Sequence, residues 1–290
     1  MDPHRHRPLD RRAQAPERAL ASAAAALLLL AFAASAALAN PAEGDEEPPY
    51  AVKAALARLA PQRPGKVDLY ALVVGGDAEE VFRREVETVR DVLDERLGTA
   101  RRSLAMVNDI TMPEPEVTLN SLRFALRELA RRMDDEEDVL LMHFTSHGLR
   151  DGEFSLRHPA TPLYALTPLY LRSLLDEAGV RNRVVIVSAC FSGNFVSPLS
   201  TDDTMVLTAS SADRPSYGCG NDSRMTDFSR ALYLKALAHT RSLRQAAVET
   251  LGLVAADEKA RGYKQSLPQL RAGSAIEERL RMIERQLDGR

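Results

Sequence analysis

The chain reads as an α/β protein with a mostly parallel central sheet and helices on both faces. Three observations carry this. Short apolar runs recur and stop abruptly on small or polar residues, at 67–74, 103–108, 139–145, 183–189 and 204–209. Runs of that kind, bounded by turn residues, mark strands buried on both faces. Between most of them lie longer stretches with a helical apolar period, and strands alternating with helices imply βαβ units. The composition allows a sizeable core, since 45% of the 290 residues are hydrophobic.

Residues 1–39 are read as lying outside the fold. Arg5, Arg7, Arg11, Arg12 and Arg18 make a basic start, residues 19–39 carry no charge, and Ala37-Leu38-Ala39 fits a small-residue cleavage site. This is the pattern of an export signal, so a periplasmic or secreted protein is expected. Left uncleaved, the same stretch is long enough to anchor the chain in a membrane. Residues 40–64 read as a linker and short helix. NPAEGDEEPP (40–49) is acidic and proline-rich, and a helix over 50–59 is ended by Pro61 and Pro64. Residues 65–290 then make the folded domain.

Within that domain the strand at 67–74 closes on Gly75-Gly76-Asp77. Apolar residues at 81, 82, 86, 89, 92, 93 and 97 predict a helix over 78–97, stopped by Gly98. A second strand at 103–108 leads to a helix over 118–133 with Leu119, Leu122, Leu126, Leu129 and Met133 on one face. DDEED (134–138) reads as a solvated turn. A third helix over 167–178 opens on Thr167-Pro168 and stops at Gly179. Helices are expected over 228–238 and 243–256, then an edge strand near 267–270 and a polar C-terminal helix.

The chemistry concentrates in two strand ends. VLLMHFTSHG (139–148) ends on His147-Gly148, and VVIVSACFSG (184–193) ends on Cys190 and Gly193. In open α/β sheets, catalytic and ligand-binding groups collect beyond the carboxyl ends of the strands. A histidine and a cysteine placed there are a candidate base and nucleophile. The 43 residues from one to the other leave room for one helix and a crossover between adjacent strands. Gly148, without a Cβ, lets a substrate carbonyl approach its backbone, and the N–H of Cys190 offers a second oxyanion donor. His143 shares the face of 145 and 147 by the two-residue period, but sits inside the strand and reads as structural.

HFTSHG and VSACFSG resemble the His-Gly and Ala-Cys motifs of the legumain-like cysteine peptidases, which share the caspase-type fold. Residues 81–98 are similar to the first helix of bacterial members, and SADRPSYGC (211–219) resembles the substrate loop. The resemblance covers roughly residues 65–275 and implies a three-layer caspase-like fold. It also implies a thiol endopeptidase, or a transpeptidase if an amine replaces water, acting on peptide or protein substrates without metal or organic cofactor. Cys190 and His147 would form the dyad, with Gly148 and Cys190 at the oxyanion. Arg83, Arg84, Ser188, Ser210, Ser216 and Asp227 would bind substrate. The chain departs from the legumain pattern at Ser188, where the family has an acidic residue. It departs again in the residue that orients the histidine, for which Asp77 is the nearest candidate. A non-catalytic peptide-binding or scaffolding protein on the same fold is the alternative.

Other classes fit poorly. A formal net charge of −3 with no clustered basic face argues against a nucleic-acid binder. There is no Gly-x-Ser-x-Gly elbow for a serine nucleophile. His4, His6, His158 and His239 show no metal-ligand spacing. Cys190 and Cys219 are the only cysteines, so a disulfide between them competes with the nucleophile reading in an oxidising compartment.

Overall fold

The computed structural model describes residues 47–289; the signal expected over 1–39 and most of the linker lie outside them. The strands are β1 (Leu69–Gly75), β2 (Ser103–Val107), β3 (Val139–Thr145), β4 (Phe154–Leu156), β5 (Tyr164–Leu166), β6 (Arg183–Ser188), β7 (Thr204–Thr208) and β8 (Gln269–Ala272). Six of them form one sheet in the order β2-β1-β3-β6-β7-β8. All neighbours pair parallel except β8, which runs antiparallel to β7. Every residue of β1, β3, β6 and β7 is buried. That explains why their sequences are continuous apolar runs rather than alternating ones.

Each face of the sheet carries its own apolar layer, packed by helices α1 (Tyr50–Ala57), α2 (Glu80–Arg96), α3 (Leu119–Ala130), α4 (Pro168–Glu177), α5 (Leu243–Ala260) and α6 (Ser274–Asp288). On one face α2, α5 and α6 contribute residues such as Val86, Val89, Val254, Ile276 and Leu280. On the other α1, α3 and α4 contribute Val52, Leu122, Leu126 and Leu171. This is the three-layer α/β arrangement the sequence predicts. Thr118 caps α3 by accepting from the Ser121 N–H while the Ser121 side chain accepts from the N–H of Thr118. Thr167 caps α4, whose first residue is Pro168. Among the described residues no helix is long and apolar enough to cross a membrane.

Three features depart from the pattern read in the sequence. β4 and β5 form a separate antiparallel pair, too short for a two-residue period to reveal. The expected helix over 228–238 is Asp227–Ser229, a π-helical stretch Arg230–Ala236 and Leu237–His239 in succession. The acidic run 134–138 is not wholly solvated. Asp138 is buried and its carboxylate accepts from the N–H groups of Asp68 and Asp134. At the amino end of the domain, Ala60 donates to the Arg101 carbonyl, and the Tyr70 hydroxyl donates to the carbonyls of Ala60 and Arg132. These bonds tie the segment after α1 to the sheet.

Candidate active site

Strand order decides what can meet. The chain leaves β1 for β2 on one side, then returns past β1 to β3 and continues to β6 on the other. The carboxyl ends of β1 and β3 therefore flank the topological switch point, where a crevice opens. β3 and β6 are neighbours, with Thr145 opposite Ser188. Two residues beyond each of these stand His147 and Cys190.

Gly148 lies directly against the Cys190 backbone, so closely that a Cβ at 148 would sit 1.8 Å from the Cys190 carbonyl oxygen. Any side chain there would push the two strand ends apart. Gly148 bridges to Phe154, but through its neighbours: Leu149 donates to the Glu153 carbonyl and Ser155 donates to the His147 carbonyl. The N–H of Gly148 is not consumed by this pairing. Phe191, immediately after Cys190, takes a left-handed backbone with φ of 56°. That conformation is costly for a bulky residue. Its N–H donates to the Arg214 carbonyl at 2.8 Å, which helps hold the turn. Gly193 has a different reason for being glycine than a relaxed turn. A Cβ there would meet the backbone N of Ala212 at 2.4 Å.

Cys190 is half-buried and unbridged, as is Cys219. The Ser216 N–H points at the Cys190 sulfur from 3.3 Å, and the thiol donates back to the Ser216 carbonyl at 3.6 Å. On the other side, His147 Nε2 donates to Glu79 Oε1 at 3.0 Å, and the Phe82 ring stands edge-on to the imidazole at 5.1 Å. Glu79 stands just before α2, in the loop that leaves β1, and its side chain makes no capping bond to the helix. Hydrogen bonding to Cys219, joined by that to Glu79, outweighs burial and raises the His147 pKa to about 9. The Cys219 thiol thus lies within interaction range of the imidazole. Asp77 also lies beside this group, and burial pushes its carboxyl up.

Beneath the rim runs a sealed polar chain. Glu85 of α2 accepts from His143 Nε2 at 3.1 Å, from the Thr226 N–H at 2.7 Å and from the Ser229 hydroxyl. The Tyr233 hydroxyl bonds the other ring nitrogen of His143. Burial pushes the Glu85 carboxyl up, but these bonds prevail and hold it below the usual carboxylate range. The Thr226 hydroxyl pairs with Ser188 Oγ at 2.8 Å, two residues before Cys190.

Residues 129–269 match the Peptidase C13 family. The matched stretch takes in both His147 and Cys190, and the chain is similar there to the legumain-like family. The crystal structure of caspase-1 from Spodoptera frugiperda is similar in fold over 74% of this chain and 93% of its own. The TM-score is 0.51 and the sequence identity 14%, a likeness of fold alone. No curated protein sequence matches the chain.

The residues singled out for substrate binding separate into two groups. Ser216 lies on the Cys190 sulfur. The others are engaged elsewhere. Ser188 is buried against Thr226, and Ser210 is buried, accepting from the Ser192 N–H and donating to the Ala189 carbonyl. Arg83 pairs with Glu80 and Glu87 along its own helix. Arg84 donates to the carbonyls of Asn221 and Ser223, tying down the loop that carries Cys219. Asp227 is buried between Arg230 and Arg261. Glu79 is the residue of this candidate site that sequence reasoning misses. Its only signal there is an acidic residue two places past Asp77, on the loop already marked by Gly75-Gly76.

Proposed function

We propose that this protein is a cysteine endopeptidase working through Cys190 and His147. The observation that carries the reading is the contact of Gly148 with the Cys190 backbone, which sets the two strand ends side by side. The Cys190 thiolate attacks the peptide carbonyl carbon. The N–H groups of Gly148 and Cys190 face the oxyanion that forms. The carbon–nitrogen bond breaks as the His147 imidazolium gives its proton to the leaving amine. Neutral His147 then takes a proton from water, which hydrolyses the thioester and restores the thiolate. An amine in place of water gives a transpeptidase with the same intermediate. A histidine raised to about 9 suits this cycle, because it enters the first step protonated at neutral pH. Glu79 serves as the positioning residue that fixes the ring. Residues 1–39 direct export in this reading, on the strength of their basic start and uncharged stretch.

A peptidyl acyloxymethyl ketone tests the assignment. Adduct mass at Cys190 in the parent protein, and none in His147→Ala, is the expected result. Cleavage of a peptide library should vanish in Cys190→Ala while thermal melting stays put. Turnover undiminished in Cys190→Ala, or labelling at Cys219 instead, would sink the assignment. Peptide binding with neither labelling nor cleavage would point to a non-catalytic module on the same fold.

A further inference from the structure

The turn that carries Cys190 has no charge of its own: residues 190–200 hold neither an acid nor a base. Two arginines from neighbouring loops flank it. Arg214 belongs to the loop whose Ser216 N–H reaches the Cys190 sulfur, and its carbonyl accepts the Phe191 N–H at 2.8 Å. Its side chain is 26% exposed, and its Nε–H is buried with no hydrogen-bond partner. The acid paired with it, Asp213, stands 3.6 Å away, 78% exposed and bonded by the Ser211 hydroxyl. A buried N–H without an acceptor is costly, so Arg214 is short of an anionic partner. Arg150 comes from the turn after His147-Gly148, and its guanidinium lies 5.5 Å from the centre of the Phe191 ring. That turn is fixed by the Gly152 N–H on the Leu149 carbonyl and the Leu149 N–H on the Glu153 carbonyl. Among the described residues the Arg150 side chain forms no ion pair and no hydrogen bond, although Asp151 and Glu153 share its turn. The other acids of the rim, Asp77 and Glu79, gather beside His147.

We propose that Arg214 and Arg150 select peptide substrates with an acidic side chain on each side of the scissile bond. The assignment of sides rests on the peptidase reading. The acyl part stays on Cys190, beside the loop of Arg214, and the amine leaves past His147, towards the turn of Arg150. A guanidinium presents a planar fork of N–H donors that a carboxylate matches with two parallel bonds. The two sides differ in strength. Arg214 is largely shielded from water, where a charged hydrogen bond counts for more, and Arg150 is exposed, where an ion pair counts for little. A lysine or arginine in the same places of the substrate would meet a like charge. The formal net charge of −3 gives no general attraction for acidic chains, so the preference is local to these two residues.

Cleavage of a proteome-derived peptide library, with each cut read by mass spectrometry, tests this directly. Aspartate and glutamate should be enriched beside the cut on both sides. Matched peptides made from the best-cleaved sequence give the size of the effect. Replacing the acid by its amide should lower kcat/KM about tenfold on the acyl side and about threefold on the leaving side. Arg214→Glu should reverse the preference on the acyl side only, in favour of lysine, and Arg150→Glu should do so on the leaving side only. Arg214→Gln should level the acyl-side preference if the charge reversal fails to fold. Variants that slow all peptides alike, or a parent that cuts acid and amide twins equally, would overturn the proposal, as would a parent that prefers lysine. Recognition can also be read without turnover. The Cys190→Ala protein should bind a fluorescein-labelled Gly-Ser peptide with a central run of glutamates more tightly than its glutamine twin. Arg150→Glu and Arg214→Glu together, in that background, should remove the difference. If no library peptide is cut, the peptidase reading fails, and the binding difference still decides the matter: equal binding of the twins would overturn the role of the two arginines.

Discussion

Two histidines four residues apart, one within β3 and one just past its end, each bond a glutamate at the start of α2. His143 meets Glu85 at 3.1 Å and His147 meets Glu79 at 3.0 Å. The chemistry is the same and the surroundings differ. The first pair is fully buried, and every other bond to it comes from the interior: Tyr233, Ser229 and Thr226. The second pair sits on the rim, where the Cys219 thiol lies within interaction range of the imidazole. The two-residue period puts both positions on one face, so it does not separate them. Depth along the strand does. A buried pair fixes the fold, because removing one partner strands the other in a low dielectric. A rim pair costs little to disturb and can exchange protons with a substrate.

The comparison can be broken from either side. The largest effect is expected for His147→Ala, which should cut peptide turnover about 10³-fold or more while the melting temperature barely moves. Glu85→Ala should do the reverse kind of damage. It leaves His143 buried without its partner and should cost about 3–5 kcal/mol in denaturant melts. A Glu85→Ala protein of parental stability would show that the inner pair does not hold the fold. Gly148→Ala comes next. The Cys190 carbonyl must move, and kcat/KM should drop about a hundredfold, since oxyanion donors lose alignment. Parental rates there would deny the contact its importance.

Smaller and more diagnostic is Glu79→Gln. Turnover should fall about tenfold with little change in melting. Its alkaline limb, near 9 in the parent, should move towards the ordinary histidine value. Because the folded-state pKa is raised, stability from the His147 contacts is fully present below about 6.5 and is lost as pH rises through about 9. The inner carboxylate runs the other way. Glu85 is held below the usual range, so its contribution is present above the ordinary glutamate pKa and lost as pH falls through its lowered value.

Much of this arrangement is legible in the amino-acid sequence. Val139–Thr145 and Arg183–Ser188 can be read there because strands buried on both faces must be largely apolar. His147 and Cys190 stand out because each follows such a run at its carboxyl end. Ser188 and Ser210 are harder. Small polar residues next to a reactive one read as substrate contacts, yet here they spend their hydroxyls on neighbouring turns. Asp138 misleads for a similar reason. An acidic run reads as solvated until one member is needed to satisfy buried backbone N–H groups.

The sequence by itself determined the strands of the main sheet, most of the helices and the two strand ends where chemistry gathers. These depend on short-range periodicity and turn residues, which are local properties of the chain. Only the tertiary structure decided which acid serves which histidine and that Cys219 comes within interaction range of the imidazole. It also shows which bonds the candidate substrate-binding side chains make within the protein. Glu79 and His147 are 68 positions apart and meet because β1 and β3 are neighbours in the sheet. Strand order is set by how the crossovers bury both faces, and no local pattern encodes it.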